Sequence, residues 1–258
     1  MEKENIPDNI RSELYSRVSS FFGEESFMKL RASSYVVVVG LGGVGSHTAH
    51  MLVRSGISKI RLIDFDQVSL SSLNRHAVAT ISDVGIPKVV AMKKRLLDII
   101  PWCDIEAVNE MFVGEHAERL LTENCKPDYV IDCIDDVTTK AELIAYCIQN
   151  NIPVVTSMGA GGKADPTKIR IGTLSDCVKD PLASKMKWKL RKSHGVDSDS
   201  VPCIFSVEKA AANLLPLDED QANKPEDYGA VDNFRIRVMP VLGTSPGRFW
   251  IKSHSPCT

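Results

Sequence analysis

From Tyr35 onward the hydrophobic positions fall into two alternating patterns. Short Val/Ile-rich runs occupy 35–40, 59–64, 104–109, 128–133 and 152–156, and segments with apolar residues at helical spacing, 43–55, 88–100, 115–124 and 137–150, separate them. A run that is apolar at successive positions suits a strand buried on both faces, and strand–helix alternation predicts a parallel sheet with helices on either side. The expected fold class is therefore α/β, a Rossmann-like, doubly wound, mostly parallel sheet over 33–174. Pro101 and Pro153 stand where helices should have ended.

The flanks read differently. Residues 14–30 predict one or two helices, giving an N-terminal helical arm over 1–32. Beyond Met158 the alternation loosens: Gly159-Ala160-Gly161-Gly162 and Asp165-Pro166-Thr167 read as a loop entering another strand, 168–173. Asp180-Pro181 then opens an amphipathic helix, 181–192, with Leu182, Met186 and Leu190 at i, i+4 and i+8 as its buried stripe. Residues 216–232 are polar, acidic and Pro/Gly-bearing, which predicts a surface loop. A smaller C-terminal extension, 175–258, is expected to hold that helix, the acidic loop and a tail, 247–258, without helical apolar period.

Composition narrows the class. At 258 residues with 43% hydrophobic and 25% charged residues, the chain can bury a substantial core. A net charge of −2 argues against indiscriminate nucleic-acid binding but leaves room for a local basic patch. Met1 to Asn9 reads as neither signal nor transit peptide, and no apolar run approaches the roughly 18–20 residues that cross a bilayer, so no transmembrane segment is expected. The seven cysteines form no C-x-x-C, which fits reduced thiols and no local zinc site. The cytoplasm is the expected compartment.

The first β-branched run ends in Gly40-Leu41-Gly42-Gly43-Val44-Gly45-Ser46. Such a strand–turn–helix brings backbone N–H groups and a helix N-terminus to a phosphate. Gly40, Gly42 and Gly45 satisfy G-x-G-x-x-G, and Asp64 ends the next run where a ribose-binding acid belongs, so a dinucleotide site has to be weighed. The residues that follow favour adenylation. An attacking carboxylate and a triphosphate are both anions, and Arg75 and Lys88 would neutralise charge at the α-phosphate and departing pyrophosphate. Asp135, in Asp132-Cys133-Ile134-Asp135-Asp136, ends another strand and suits the Mg²⁺ that accompanies ATP.

These stretches resemble the E1-like (ubiquitin-activating-enzyme-like, ThiF/MoeB-type) adenylyltransferase superfamily, and within it the tRNA threonylcarbamoyladenosine dehydratases. The shared stretches are Val38 to Ser46, Asp64-Phe65-Asp66 through Ser71-Ser72-Leu73-Asn74-Arg75, Gly85-Ile86-Pro87-Lys88 and Asp132 to Asp135. Gly159 to Gly162, Asp180-Pro181-Leu182-Ala183 and Val201 to Glu208 point to the subfamily. The resemblance runs from about Arg11 to Pro246. It implies that Gly40, Gly42, Gly43 and Gly45 line the ATP phosphates, that Asp64 holds the ribose, that Asn74, Arg75 and Lys88 attend the triphosphate, and that Asp135 holds Mg²⁺. Asp66, Ser71 and Asp136 complete the implied ATP-binding set, and Arg17 matches an arginine that reaches the partner subunit's ATP in a homodimer. The implied activity is ATP-dependent dehydration of N6-threonylcarbamoyladenosine in tRNA. Two departures stand out: the paired C-x-x-C zinc motifs of the sulfur-carrier activators are absent, and after Pro246 the tail lacks the family's apolar helix.

Rival readings attach to the same residues. One is activation of a ubiquitin-like or sulfur-carrier protein, with such a carrier or a sulfur-relay protein as partner. Others are a nicotinamide-dependent oxidoreductase and a degenerate nucleotide-binding protein. Some eukaryotic relatives lie at the mitochondrial outer membrane, the alternative compartment. Lys185, Lys187, Lys189, Arg191 and Lys192, with Trp188 among them, read either as a tRNA-binding face or as the wet side of the 181–192 helix. Of Asp132 and Asp136, which flank Asp135, one or both read as merely solvated at the strand end. Cys203 reads as a buried cysteine on a strand ahead of a transfer cysteine, and His47 and His76 as packing or solvent-facing residues ahead of bases.

Overall fold

The computed structural model describes residues 7–178, 180–210 and 240–243. The loop expected over 216–232 and the tail 247–258 lie outside the described residues. Seven strands are formed: β1 Tyr35–Val39, β2 Lys59–Ile63, β3 Asp104–Val108, β4 Tyr129–Asp132, β5 Val154–Ser157, β6 Ile169–Thr173 and β7 Pro202–Ser206. They make one sheet in the order β3-β2-β1-β4-β5-β7-β6, parallel throughout except for the antiparallel β6–β7 edge. The helices are α1 Asp8–Phe22, α2 Glu24–Ser33, α3 Gly43–Arg54, α4 Lys88–Ile99, α5 Ala117–Thr122, α6 Val137–Gln149 and α7 Pro181–Lys189.

The alternation of side chains along each strand divides the core into two layers. Val36 and Val38 of β1 join Ile60, Leu62 and Ile131 under α3 and α4, through Ala49, Leu52, Val53, Val89, Met92 and Leu96. Tyr35, Val37 and Val39 face the other way, onto Leu120 and Leu121 of α5 and Leu143 and Cys147 of α6. Burial on both faces is why β1 reads as an unbroken run of apolar residues. The pairings Val39↔Ile63 and Val39↔Asp132 level the ends of β1, β2 and β4, so the residues after them emerge together at the carboxyl edge.

Three local differences from the sequence reading have physical causes. The helix expected over 115–124 starts with a 3₁₀ turn at Gly114–His116, where Gly114 is pressed against Glu142 and its N–H donates to that carboxylate at 2.9 Å. The helix expected over 181–192 stays α-helical to Lys189, widens into a π turn over Leu190–His194 and stops at Gly195 in the left-handed region. Strand β7 inserts between β5 and β6, a pairing that no local pattern specifies. No described helix is long and apolar enough to cross a membrane.

Candidate active site

Two positions in the turn after β1 admit only glycine. Gly40 has φ +89°, and a Cβ there would lie 2.8 Å from the Cys133 carbonyl oxygen beyond β4. A Cβ on Gly45 would come 1.7 Å from the Gly40 carbonyl oxygen. The turn is thus packed down between β1 and β4. Gly42 is the N-cap of α3 without a side-chain cap, and open space lies where its side chain would project. The first intrahelical bond runs from the Ser46 N–H to the Gly42 carbonyl, which leaves the N–H groups of 43–45 for an outside acceptor. Uncapped N–H groups at the positive end of a helix form an anion site.

Asp64 follows β2 and is buried. Its Oδ2 accepts the Leu41 N–H at 2.5 Å and its Oδ1 the Asp66 N–H at 2.8 Å, so the carboxylate pins the glycine turn from the neighbouring strand. Burial pushes its pKa up, against the pull of Lys88. The chain then makes a narrow ribbon: Gln67 bridges Pro87, and the Val68 N–H donates to the Ile86 carbonyl. Gly85, at φ +86°, allows the return, and Lys88 begins α4 with its Nζ 2.6 Å from Asp66 Oδ2. The spacing of Gly85-Ile86-Pro87-Lys88 therefore serves to aim one lysine at the carboxyl edge.

Between the ribbon's arms lie Ser71, Asn74 and Arg75. The Arg75 guanidinium donates to the Ser71 carbonyl at 2.7 Å and to Asn74 Oδ1 at 3.1 Å. Burial lowers its pKa while Asp135 and Asp66 act in the opposite sense, so this cation feels carboxylates from both sides of the crevice. Ser71 is exposed, with its Oγ 3.1 Å from Ser69 Oγ. The Asn74 amide donates to the Val241 carbonyl at 3.1 Å, and the Gly162 N–H donates to the Pro240 carbonyl at 2.8 Å. Residues 240–243 thus strap the loop after β5 to the Asn74 loop, a contact across 167 positions of sequence that no motif signalled.

On the other side of β1, Asp132 is fully buried, so it is not a solvated member of the flanking pair. Its Oδ2 lies 2.8 Å from Lys140 Nζ and accepts from Thr156 Oγ1 at 2.6 Å, while Oδ1 accepts the Ile134 N–H at 3.0 Å. Lys140 Nζ also donates to the Ile134 carbonyl at 2.9 Å. Asp136 is the N-cap of α6, its Oδ1 accepting the Thr138 and Thr139 N–H groups at 3.0 and 2.9 Å. Asp135 stands between these two fixed points, exposed, with no hydrogen bond from the described residues. Lys140 and Thr156 were missed by the motif reading. The available signal was a lysine set in the apolar stripe of α6, four residues before Ile144.

The structure therefore brings the glycine turn, Asp64, Asp66, Ser71, Asn74, Arg75, Lys88, Asp135 and Asp136 to the crevice between β1 and β4, where the strand order reverses and open α/β sheets bind ligands. Arg17 is elsewhere. It is exposed on α1, whose Tyr15 packs on Trp102 ahead of β3, at the opposite edge of the sheet. Lys187 also departs from its cluster, its Nζ tied to the carbonyls of Ser175 and Cys177 at 2.9 and 2.8 Å.

The histidines and cysteines match their quieter readings. His76 is buried, its Nδ1 accepting the Val78 and Ala79 N–H groups, and burial first and Lys88 second push its pKa down to about 4. Burial likewise lowers the pKa of His47. Cys203 is buried on β7, and its hydrogen bond with Cys177, together with burial, raises its pKa, the reverse of what an acyl-accepting thiol requires.

The ThiF family pattern matches residues 15–212. The tRNA threonylcarbamoyladenosine dehydratase 2 of Saccharomyces cerevisiae is 45% identical over 256 residues, covering 95% of this chain and 56% of that protein. The Escherichia coli tRNA threonylcarbamoyladenosine dehydratase is 39% identical over 199 residues, 75% of this chain and 73% of its own. The crystal structure of the E. coli enzyme TcdA in complex with ATP aligns with a TM-score of 0.79 at 32% identity, over 93% of this chain and 90% of that one. The chain spans about half the length of the yeast relatives it matches. With its glycine turn, ribbon lysine and strand-end aspartates inside the matched span, the chain belongs to the ThiF family.

Proposed function

We propose that the chain catalyses the ATP-dependent dehydration of N6-threonylcarbamoyladenosine in tRNA. One juxtaposition supports the reading: two cations, Arg75 and Lys88, and one exposed carboxylate, Asp135, share the carboxyl edge of the sheet with the uncapped N-terminus of α3, at the switch point of the strand order. ATP would lie with its phosphates on the N–H groups of 43–45, and Asp64 and Asp66 would receive the ribose side. The substrate's free carboxylate attacks the α-phosphorus and expels pyrophosphate, whose growing charge Lys88 and Arg75 meet. A nitrogen of the same side chain then attacks the mixed anhydride, closing a hydantoin-type ring. AMP leaves with the former carboxylate oxygen, and the nitrogen gives up its proton, so the net loss is one water. Because the second nucleophile is tethered to its electrophile, high effective molarity replaces a covalent enzyme intermediate. No cysteine is needed, in keeping with the raised pKa of Cys203.

The donor set suits magnesium. No described cluster of three or more His, Cys, Asp or Glu residues is built to cage a metal, while Asp135 offers one exposed carboxylate, and Mg²⁺ commonly takes one or two carboxylates plus phosphate oxygens and water. Asp135 would hold it, and bound there the ion would supply charge neutralisation between the phosphates. We take the enzyme to act as a homodimer in which Arg17 serves the partner's site, in the cytoplasm or at the mitochondrial outer-membrane surface.

The test is incubation of the protein with ATP, Mg²⁺ and tRNA carrying threonylcarbamoyladenosine, followed by mass analysis of nucleosides released under mild conditions. ATP-dependent loss of one water from that nucleoside is expected. Pyrophosphate exchange that instead requires a small ubiquitin-like protein would overturn the reading in favour of carrier activation.

A further inference from the structure

Helix α7 presents a surface that the crevice does not use. Trp188 is 60% exposed. With Val137, Ser184, Lys185 and Lys189 it lines a groove of about 380 Å³ between α7 and the start of α6, within the roughly 300–1,000 Å³ range of small-ligand sites. Leu182, Met186 and Leu190 supply the helix's buried stripe without it, so packing does not account for an indole at this position. Beyond Lys189 the helix widens into its π turn, and Lys192 comes to lie with Nζ 4.8 Å from the Trp188 ring centroid. Single π turns are frequent at functional sites.

Among the described residues the charge lining the groove itself is positive. Lys185, Lys189 and Lys192 surround the ring. Of the acids nearby, Asp180 is buried against Lys163 at 2.8 Å, Asp136 caps α6, and Asp135 is exposed at the crevice end of the groove. A flat aromatic face framed by lysines is the composition that holds unpaired bases, with stacking for the base and cations for the phosphates. Position supplies the second argument. Val137, on the groove's wall, is two residues from Asp135, so their Cα atoms are at most about 7.6 Å apart. The groove thus has one wall beside the crevice's Asp135.

We infer that this groove is a stacking subsite for an unpaired base of single-stranded RNA, next to the nucleotide presented at the crevice. The inference rests on the tRNA reading above and adds where the strand is gripped. Recognition of this kind is indifferent to sequence and weakens with salt. Lys187, turned towards Ser175 and Cys177, takes no part.

The experiment measures binding of the full chain to three RNAs: tRNA, an anticodon stem–loop and a blunt duplex of equal length. Wild type is compared with Trp188→Ala and Trp188→Phe, and indole fluorescence is followed in parallel. Trp188→Ala should weaken tRNA and stem–loop binding by about 5- to 100-fold, the range for loss of one stacked base. Trp188→Phe should retain most of the affinity, and duplex binding should be the same in all three proteins. Stem–loop RNA should quench a fluorescence component present in wild type and missing from Trp188→Phe. Stabilisation by ATP should persist in both variants, which shows the fold intact.

Unchanged tRNA affinity in Trp188→Ala, equal losses for loop and duplex, or a shift of Trp188→Ala from dimer to monomer would each overturn the subsite. The last result would mean that a second copy covers the groove. The two proposals fail separately. Loop-specific loss with no dehydration leaves the subsite standing and removes the activity, whereas dehydration with an unaltered tRNA KM in Trp188→Ala does the reverse.

Discussion

Asp64 and Asp132 stand on either side of β1 and begin as the same local device. Each ends or follows a parallel strand, is buried, and accepts through Oδ1 the N–H two residues ahead, from Asp66 at 2.8 Å and from Ile134 at 3.0 Å. They differ in what meets the second oxygen. Asp132 receives Lys140 and Thr156, both fully buried, and the cluster is closed. Asp64 receives only the Leu41 N–H of the glycine turn, and the cation on its side, Lys88, is drawn instead to Asp66, whose side chain is 35% exposed. A closed ion pair in the interior fixes structure. An ion pair at a crevice mouth is weakly held and can exchange its carboxylate for a phosphate. On the function proposed above, the difference makes β4 the rigid wall and β2 the side of the working charge.

The most direct way to break this comparison is Lys140→Met. If the β4 cluster is structural, removing the lysine strands a buried carboxylate and should cost about 3–5 kcal/mol. That corresponds to a fall in Tm on the order of 10 °C for a domain of this size. Pairing it with Asp132→Leu should recover part of the loss, because an apolar pair of similar volume avoids the desolvation penalty. Thermal unfolding of the three proteins decides the matter: a single variant as stable as wild type would mean that Asp132 and Lys140 do not support the Asp135 turn.

On the β2 side the expected effect is on rate. Lys88→Ala should lower the turnover of tRNA dehydration by about 10²–10³-fold, the usual loss when one preorganised charge is removed from a developing anion. Its stability should fall by less than that of Lys140→Met, since Lys88 is buried but its partner Asp66 is part-exposed, whereas both members of the β4 pair are fully buried. Rate and Tm measured on the same preparation separate the two sides. Loss of stability comparable with Lys140→Met would erase the distinction between wall and working charge.

Legibility followed the same divide. The glycine turn, Asp64, Asn74-Arg75, Lys88 and Asp135 could be read because local backbone constraints dictate them: φ +89° at Gly40, a left-handed return at Gly85, strand ends at Asp64 and Asp132. The β-branched runs exposed the parallel core for the same reason, each strand being buried on both faces. Lys140 was only half legible: its place in the apolar stripe of α6 marked it as buried, but its partners come from β4 and β5 and no local pattern names them. The insertion of β7 between β5 and β6 and the strap at 240–243 were not legible, as both are decided by pairing across long separations. The widening of α7 after Lys189 defeated the 3.6-residue period at the place where Lys192 turns over Trp188.

A smaller effect concerns pH. His76 lies on the β2 side and is held neutral, its pKa pushed from 6.5 to about 4 chiefly by burial. The unfolded chain takes up this proton below about pH 6.5 and the folded chain only below about pH 4, so between them the unfolded state binds more protons and stability falls as pH falls. Below about pH 4 the term is complete and the slope from this group vanishes. From pH 7 to pH 5 it amounts to about 2 kcal/mol. Urea unfolding of wild type and His76→Asn at the two pH values should show the wild type losing that much more than the variant. Equal losses would mean that the imidazole is reachable by protons in the folded state.

The finest distinction falls on Asp136, whose two offered roles, cap and nucleotide ligand, predict different pairs of results. As the N-cap of α6 it accepts two backbone N–H groups and the Thr139 hydroxyl through one oxygen, Oδ1. Asp136→Ala should therefore cost about 1 kcal/mol, while Asp136→Asn, with an equivalent acceptor, should cost almost nothing. Charge is what the asparagine lacks. If Asp136 acts only as a cap, Asp136→Asn keeps both its Tm and its dehydration rate, and the working carboxylate on the β4 side is Asp135 alone. If Tm holds but the rate falls at low Mg²⁺ and recovers as Mg²⁺ is raised, the second oxygen of Asp136 also serves the nucleotide. The wall beside β4 would then contribute to the chemistry as well as the geometry, and the contrast between the two strand ends would narrow to Asp132 and Lys140.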